Sequence, residues 1–381
     1  MVYPSGLFSL EKDEVYPYER FAYSLLDIAV EVLHHAQLPE NIVVDFTQII
    51  PGISPWSLNA SVNIDSDGSG NPIRFRFMTP ELFPAITYLF TAELMRDIFT
   101  EGGPLFYEQN PNALRERTRR FAEGTSAGVR AFQSGGVAAG VRAAYDHLGL
   151  TVTDLERCAN DYDLLTKLIA YHEVGHAYTQ LAVRTVTSPL ESSALELIAD
   201  LLATQWFYQK MIVNTPDTEE YRRFRGVSSH AEAIFSNALI SLQSQQALLI
   251  FMAIAGAQIN AGKVSLSGGP THPPGLQRYS LQHLAILTLI LSNFSKVLSE
   301  EHFTRLDNDW HSRMAALVRS GMIPLPDLEG LLNASECDTI EIAADLIERF
   351  AIEDLRPMIP LLKDIRRQMT ESLNRKRGRK L

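Results

Sequence analysis

Between residues 172 and 200 the chain concentrates side chains that bind metals and move protons. The run His172-Glu173-Val174-Gly175-His176 sets two imidazoles four residues apart, with a carboxylate beside the first. On a helix, positions four apart lie one turn above each other on the same face, so both rings can point at one ion. The glutamate between them is placed to act on a metal-bound water without being a ligand. A helix through this run is expected. Leu164, Leu165, Leu168 and Ile169 precede it at helical spacing, and no proline occurs from Thr151 to Thr187. A third donor is available in Glu196, twenty positions after His176, and Asp200 follows one turn later. A turn at Ser188-Pro189 and a second, antiparallel helix can bring Glu196 back over the histidine pair.

This pattern, His172-Glu173-x-x-His176 followed by Glu196-x-x-x-Asp200, resembles the gluzincin metallopeptidases of the thermolysin type over about forty residues. The resemblance implies a zincin-like pair of helices with zinc on His172, His176 and Glu196. It makes Asp200 the carboxylate that holds one of the ligand rings, expected to be that of His172. Three protein ligands and an open fourth position form the catalytic pattern, because a structural zinc site is closed by four. Glu173 is then the general base, and the expected reaction is hydrolysis of a peptide bond by an activated water.

A second resemblance lies in the loop Ser265–Arg278. Thr271-His272-Pro273-Pro274, with Arg278 six residues after the histidine, is similar to the His-Pro segment of the prenyl-protein (CAAX) endopeptidase and heat-shock membrane protease superfamily. Members of that superfamily also carry H-E-x-x-H and a downstream E-x-x-A-D, matched here by Glu196-Leu-Ile-Ala199-Asp200. The resemblance implies that His272 and Arg278 bind substrate or stabilise the oxyanion, where a cationic or N–H donor is needed. His230 is the alternative candidate for that task. The core motif is shared as well with phage-exclusion peptidases of bacteria, so a stress-response peptidase of narrow specificity is a second form of the same reading. A metal-binding regulatory module without activity is the alternative from another class.

Composition bounds these readings. The chain has 381 residues, 46% of them hydrophobic, and a formal net charge of −11. It is long enough for one large or two ordinary domains, and its acidity disfavours nucleic-acid binding by the main body. Only the tail 366–381, with seven basic residues, is suited to an anionic partner, and such tails are usually disordered. The two cysteines, Cys158 and Cys337, form no C-x-x-C pair, which removes a disulfide scaffold and a thiolate zinc site. With no signal-like segment at Met1, the expected location is the cytoplasm. Residues 233–262 lack charge, but their most apolar part, Ala247 to Ile259, is shorter than the roughly 20 residues a spanning helix requires. It reads as a buried core helix, and the partner expected is a protein or peptide substrate.

The supporting elements read as a mainly α chain with a small β-sheet, an α+β fold. Residues 18–36 carry an amphipathic helical pattern, and the β-branched run 41–50 reads as a strand. Residues 60–64 and 73–77 read as a hairpin around Asp65-Ser-Asp-Gly-Ser-Gly-Asn. The twelfth position of a calcium loop there would be Arg76 rather than a glutamate, so a plain turn suffices. Helices are expected at 79–99, 231–259, 280–298 and 337–350, and a polar loop at 213–229. The five glycines in 124–140 suggest a flexible loop or helices packed through small residues. A boundary placed there gives an N-terminal α+β part (1–125), a helical zincin-like part (126–365) and the basic tail (366–381).

Overall fold

The computed structural model describes residues 42–47, 61–65, 73–78, 87, 89–95, 106, 109–180, 189–259 and 275–319. It also describes single positions or short runs at 27, 28, 31, 359, 360, 362–365, 367 and 371. Most of them are helical. Strands β1 (Ile42–Thr47), β2 (Ser61–Asp65) and β3 (Ile73–Met78) form a sheet of order β1-β3-β2. β2 pairs antiparallel with β3, from Ser61 opposite Met78 to Asp65 opposite Arg74. β1 runs parallel to β3 on its other side, Ile42 opposite Ile73. Among the described strands β2 thus lies at the edge, and it packs next to the helix that carries the histidine pair.

Among the described residues eight helices follow: α1 (Pro111–Leu148), α2 (Val152–Arg157), α3 (Ala159–Gln180), α4 (Pro189–Tyr208), α5 (Glu219–Arg225), α6 (His230–Ile259), α7 (Gly275–Phe294) and α8 (Glu300–Arg319). Single π-helical turns occur at Thr91–Met95 and Gln209–Val213.

The glycine-rich stretch lies inside α1 and bends it back on itself. Gly136 has φ 75°, a left-handed conformation that side chains resist. A straight helix would hold residues 124 and 148 about 36 Å apart at 1.5 Å per residue. Instead, a Cβ added at Gly124 would lie 2.8 Å from the Leu148 side chain, and one at Gly128 would lie 2.8 Å from the Gly140 carbonyl oxygen. Arg120 Nη2 donates to the Leu148 carbonyl at 3.0 Å across the same pair of arms. Small residues therefore let two arms pack at backbone contact distance. Residues 125 and 126, where the expected boundary falls, lie in the first arm of α1.

The expected polar loop at 213–229 also contains a helix. Thr218 caps α5 by accepting from Tyr221 N at 3.2 Å, and Gly226, at φ 68°, ends it. A capping box then opens α6. Glu232 N donates to Ser229 Oγ at 3.1 Å, and the Glu232 carboxylate accepts from the backbone N–H of Ser228 and Ser229.

The core lies around α3, which is buried nearly all round. Tyr162, Leu165, Leu168, Ile169, Ala170, Tyr171, Val174 and Ala177 are all shielded from solvent. A helix apolar on every side needs neighbours on every side, and α4, α6, β2 and the 91–95 turn supply them. α4 contributes Ala194, Leu197, Ile198, Ala203 and Phe207. Leu362 and Ile365, from near the C-terminus, pack against Ala194, Leu195, Leu197 and Ile198. α7 closes the other side of α4, where Tyr208 Oη donates to the Leu289 carbonyl at 2.8 Å. Among the described residues no helix is long and apolar enough to cross a membrane.

Candidate metal centre

α3 and α4 approach unusually closely at the motif. A Cβ added at Gly175 would lie 2.9 Å from the Ala199 carbonyl oxygen and 3.0 Å from its Cα. The small residue in each motif, glycine in one and alanine in the other, therefore permits the helix contact. Glu196 and Asp200 lie three and one residues from Ala199, on the turns that face the histidines.

The contact brings together His172, His176 and Glu196, whose donor atoms lie within 4.8 Å of one another. The two Nε2 atoms are 3.0 Å apart. His176 Nε2 stands 3.3 Å from Glu196 Oε1, and His172 Nε2 3.5 Å from Glu196 Oε2. Donors held about 2.0–2.1 Å from one tetrahedral ion stand roughly 3.3 Å apart. The three observed separations bracket that value, so the residues fit a divalent ion bound through two imidazoles and one carboxylate. Two ring nitrogens aimed at each other need a proton or a cation between them.

Behind the donors lies a chain of charge. His172 Nδ1 faces Asp200 Oδ1 at 2.9 Å. Arg278 donates to both Asp200 oxygens, Nε to Oδ2 at 2.6 Å and Nη2 to Oδ1 at 2.6 Å. Its Nη2 is 4.0 Å from Glu196 Oε2. Asp200 and Arg278 are both fully enclosed. A bidentate guanidinium–carboxylate pair of this kind fixes the carboxylate plane. Asp200, held on that plane, in turn sets the His172 ring.

The electrostatics follow from this packing. Burial opposes charge on His172, but Asp200 and Glu196 outweigh it and raise its pKa to about 10 in the metal-free protein. Burial likewise opposes ionisation of Glu196, yet the two imidazoles hold its carboxyl well below the usual range. Asp200 is lowered by Arg278 and His172 against the effect of its own burial. Glu173 differs from both. Burial pushes it up, with a further contribution from Glu196, while His172 and His176 pull the other way. Its Oε2 is buried and has no hydrogen-bond partner among the described residues. An enclosed carboxyl with a raised pKa and an unused oxygen beside the donors is suited to accepting a proton.

The other residues named from the sequence are placed as follows. Arg278, expected at the substrate, has two nitrogens committed to Asp200. His272 lies outside the described residues, as do most of the 265–278 loop and of the 366–381 tail. His230 stands beside Asp217, with Nδ1 3.7 Å from Oδ1.

Sequence reasoning missed a second group that could hold a metal ion: His283, Asp307 and His311. Its one local signal was Asp307 and His311 at i, i+4 on α8, the same offset as the histidine pair.

Comparison with protein-family models, with curated proteins and with solved structures finds no match to this chain.

Proposed function

We propose that the chain is a zinc-dependent endopeptidase. The observation that carries this reading is the convergence of His172, His176 and Glu196 beside Glu173, a buried carboxyl with an unpartnered oxygen and a raised pKa. A purely structural metal site has no use for such a group. When bound by the three donors, a zinc ion supplies Lewis acidity, polarising a peptide carbonyl and lowering the pKa of a water toward about 7.

The chain's own residues supply the rest. Glu173 takes the proton from the attacking water and delivers it to the leaving amine. Asp200 holds the His172 ring through Nδ1, so that Nε2 is presented as a ligand. Arg278 fixes Asp200. The edge strand β2, next to α3, offers main-chain hydrogen bonds to an extended peptide laid along it. His272 keeps the role that the resemblance gives it, stabilising the oxyanion. Cys158 is buried and, among the described residues, joined in no disulfide, which fits a reducing compartment such as the cytoplasm.

The test is Glu173→Gln, assayed on a peptide library alongside elemental analysis. Metal content is expected to persist while hydrolysis falls by about 10²–10⁴-fold or more. Full activity in this variant would remove Glu173 as the base.

A further inference from the structure

α7 and α8 bring a second set of donors together, away from the proposed catalytic residues. His283 Nε2 lies 3.5 Å from Asp307 Oδ1, and His311 Nδ1 lies 3.4 Å from Asp307 Oδ2. One carboxylate thus faces two imidazoles, each through a different oxygen, and the three donor atoms lie within 4.8 Å of one another. His283 is 3% exposed; among the described residues its Nδ1 has no hydrogen-bond partner and its Nε2 has only the long contact with Asp307. Leaving a buried imidazole unpaired costs stability, so such a group calls for an explanation. Its ring is held in place, stacked on Trp310 at 4.3 Å and 8°, with the His311 ring edge-on at 5.5 Å. Asp307 is 45% exposed, which leaves a path from solvent.

We propose that His283, Asp307 and His311 form a second binding site for a divalent transition-metal ion. The donor set selects the chemistry. Two imidazoles and one carboxylate suit zinc, cobalt or nickel, whereas calcium and magnesium require oxygen donors. The two imidazoles hold Asp307 well below the usual carboxylate range. A bound ion would sit between His283 Nε2 and the Asp307 carboxylate, replacing a long 3.5 Å contact with two ligand bonds. It also staples α8 to α7, the helix that carries Arg278 and, through it, the Asp200 pair. No buried carboxyl corresponding to Glu173 accompanies this group among the described residues, so the site binds and braces rather than hydrolyses.

The experiment separates the two sites. Full-length protein carrying His176→Ala and Glu196→Ala, which disable the first centre, is stripped with chelator and titrated with Co²⁺. We expect about one ion per chain, with a ligand-field absorption spectrum. Trp310 fluorescence should be quenched, because its ring stacks on His283. Adding Asp307→Asn and His311→Asn, both at positions near the surface, is expected to abolish the spectrum and the quenching. In the otherwise unaltered chain, Asp307→Asn with His311→Asn should lower the bound metal from two ions to one. The proposal is overturned if the first-centre variant, folded by circular dichroism, binds no Co²⁺. It is equally overturned if binding survives the Asp307 and His311 substitutions, or if the unaltered chain holds one ion with and without them. None of these outcomes depends on peptidase activity, so the proposed function stands or falls separately.

Discussion

At the scale of single residues, the position of Arg278 changes what it is asked to do. Its resemblance-based role put it at the substrate, but in the structure its Nε and Nη2 grip Asp200 at 2.6 Å each. Lysine can replace the charge but not the fork. Arg278→Lys is therefore expected to weaken metal binding at the first centre by about 10–100-fold, measured by chelator competition, since partners behind a ligand histidine carry effects of that size. A lysine variant with unaltered metal affinity and a raised KM would return Arg278 to the substrate. Removing Asp200 instead would leave Arg278 buried without its counter-charge, at a cost of about 3–5 kcal/mol. For that reason the milder substitution is the more informative one.

At the scale of elements, the centre depends on how closely α3 and α4 pack. The nearest atoms that a Cβ at Gly175 would meet are backbone atoms of Ala199, at 2.9 and 3.0 Å, with the Ala199 methyl next at 3.3 Å. No rotamer change relieves that clash, so the helices must part. Gly175→Ala is expected to lower stability by about 1–3 kcal/mol, the usual cost of overpacking, and to weaken metal binding with it. Thermal melts and metal titration of the same variant test both effects. Adding Ala199→Gly should not restore either one, because it removes the 3.3 Å contact but leaves the two shorter ones, which are main chain. Recovery in the double variant would mean that side-chain crowding, rather than helix separation, sets the geometry.

At the scale of the whole molecule, the first centre joins α3, α4 and α7, and each of these helices also carries core residues. A metal that binds the folded chain and not the unfolded one stabilises it by mass action, about 4.1 kcal/mol at a thousandfold excess over Kd. Chelation is thus expected to lower the melting temperature by several degrees in scanning calorimetry. The drop should shrink in Glu196→Ala, which removes one donor while leaving the helix apolar face intact. A melting temperature indifferent to chelator in the unaltered protein would argue that neither group holds an ion in solution.

The histidine offset, the glutamate between the histidines and the downstream carboxylate were legible in the sequence, because they follow from local helical geometry and a second helix opening at Pro189. Periodicity also marked the buried helix across the motif. What only the tertiary structure decided were meetings of residues far apart in the chain. Arg278 reaches Asp200 across 78 positions, and His283 on α7 meets Asp307 and His311 on α8. The glycines of 124–140 announced close packing or a loop without saying which, since φ at Gly136 is a choice the residue permits and does not impose. Spacing along one helix fixes which side chains share a face. Which faces then meet depends on the packing of every helix together, and no single segment of the chain encodes it.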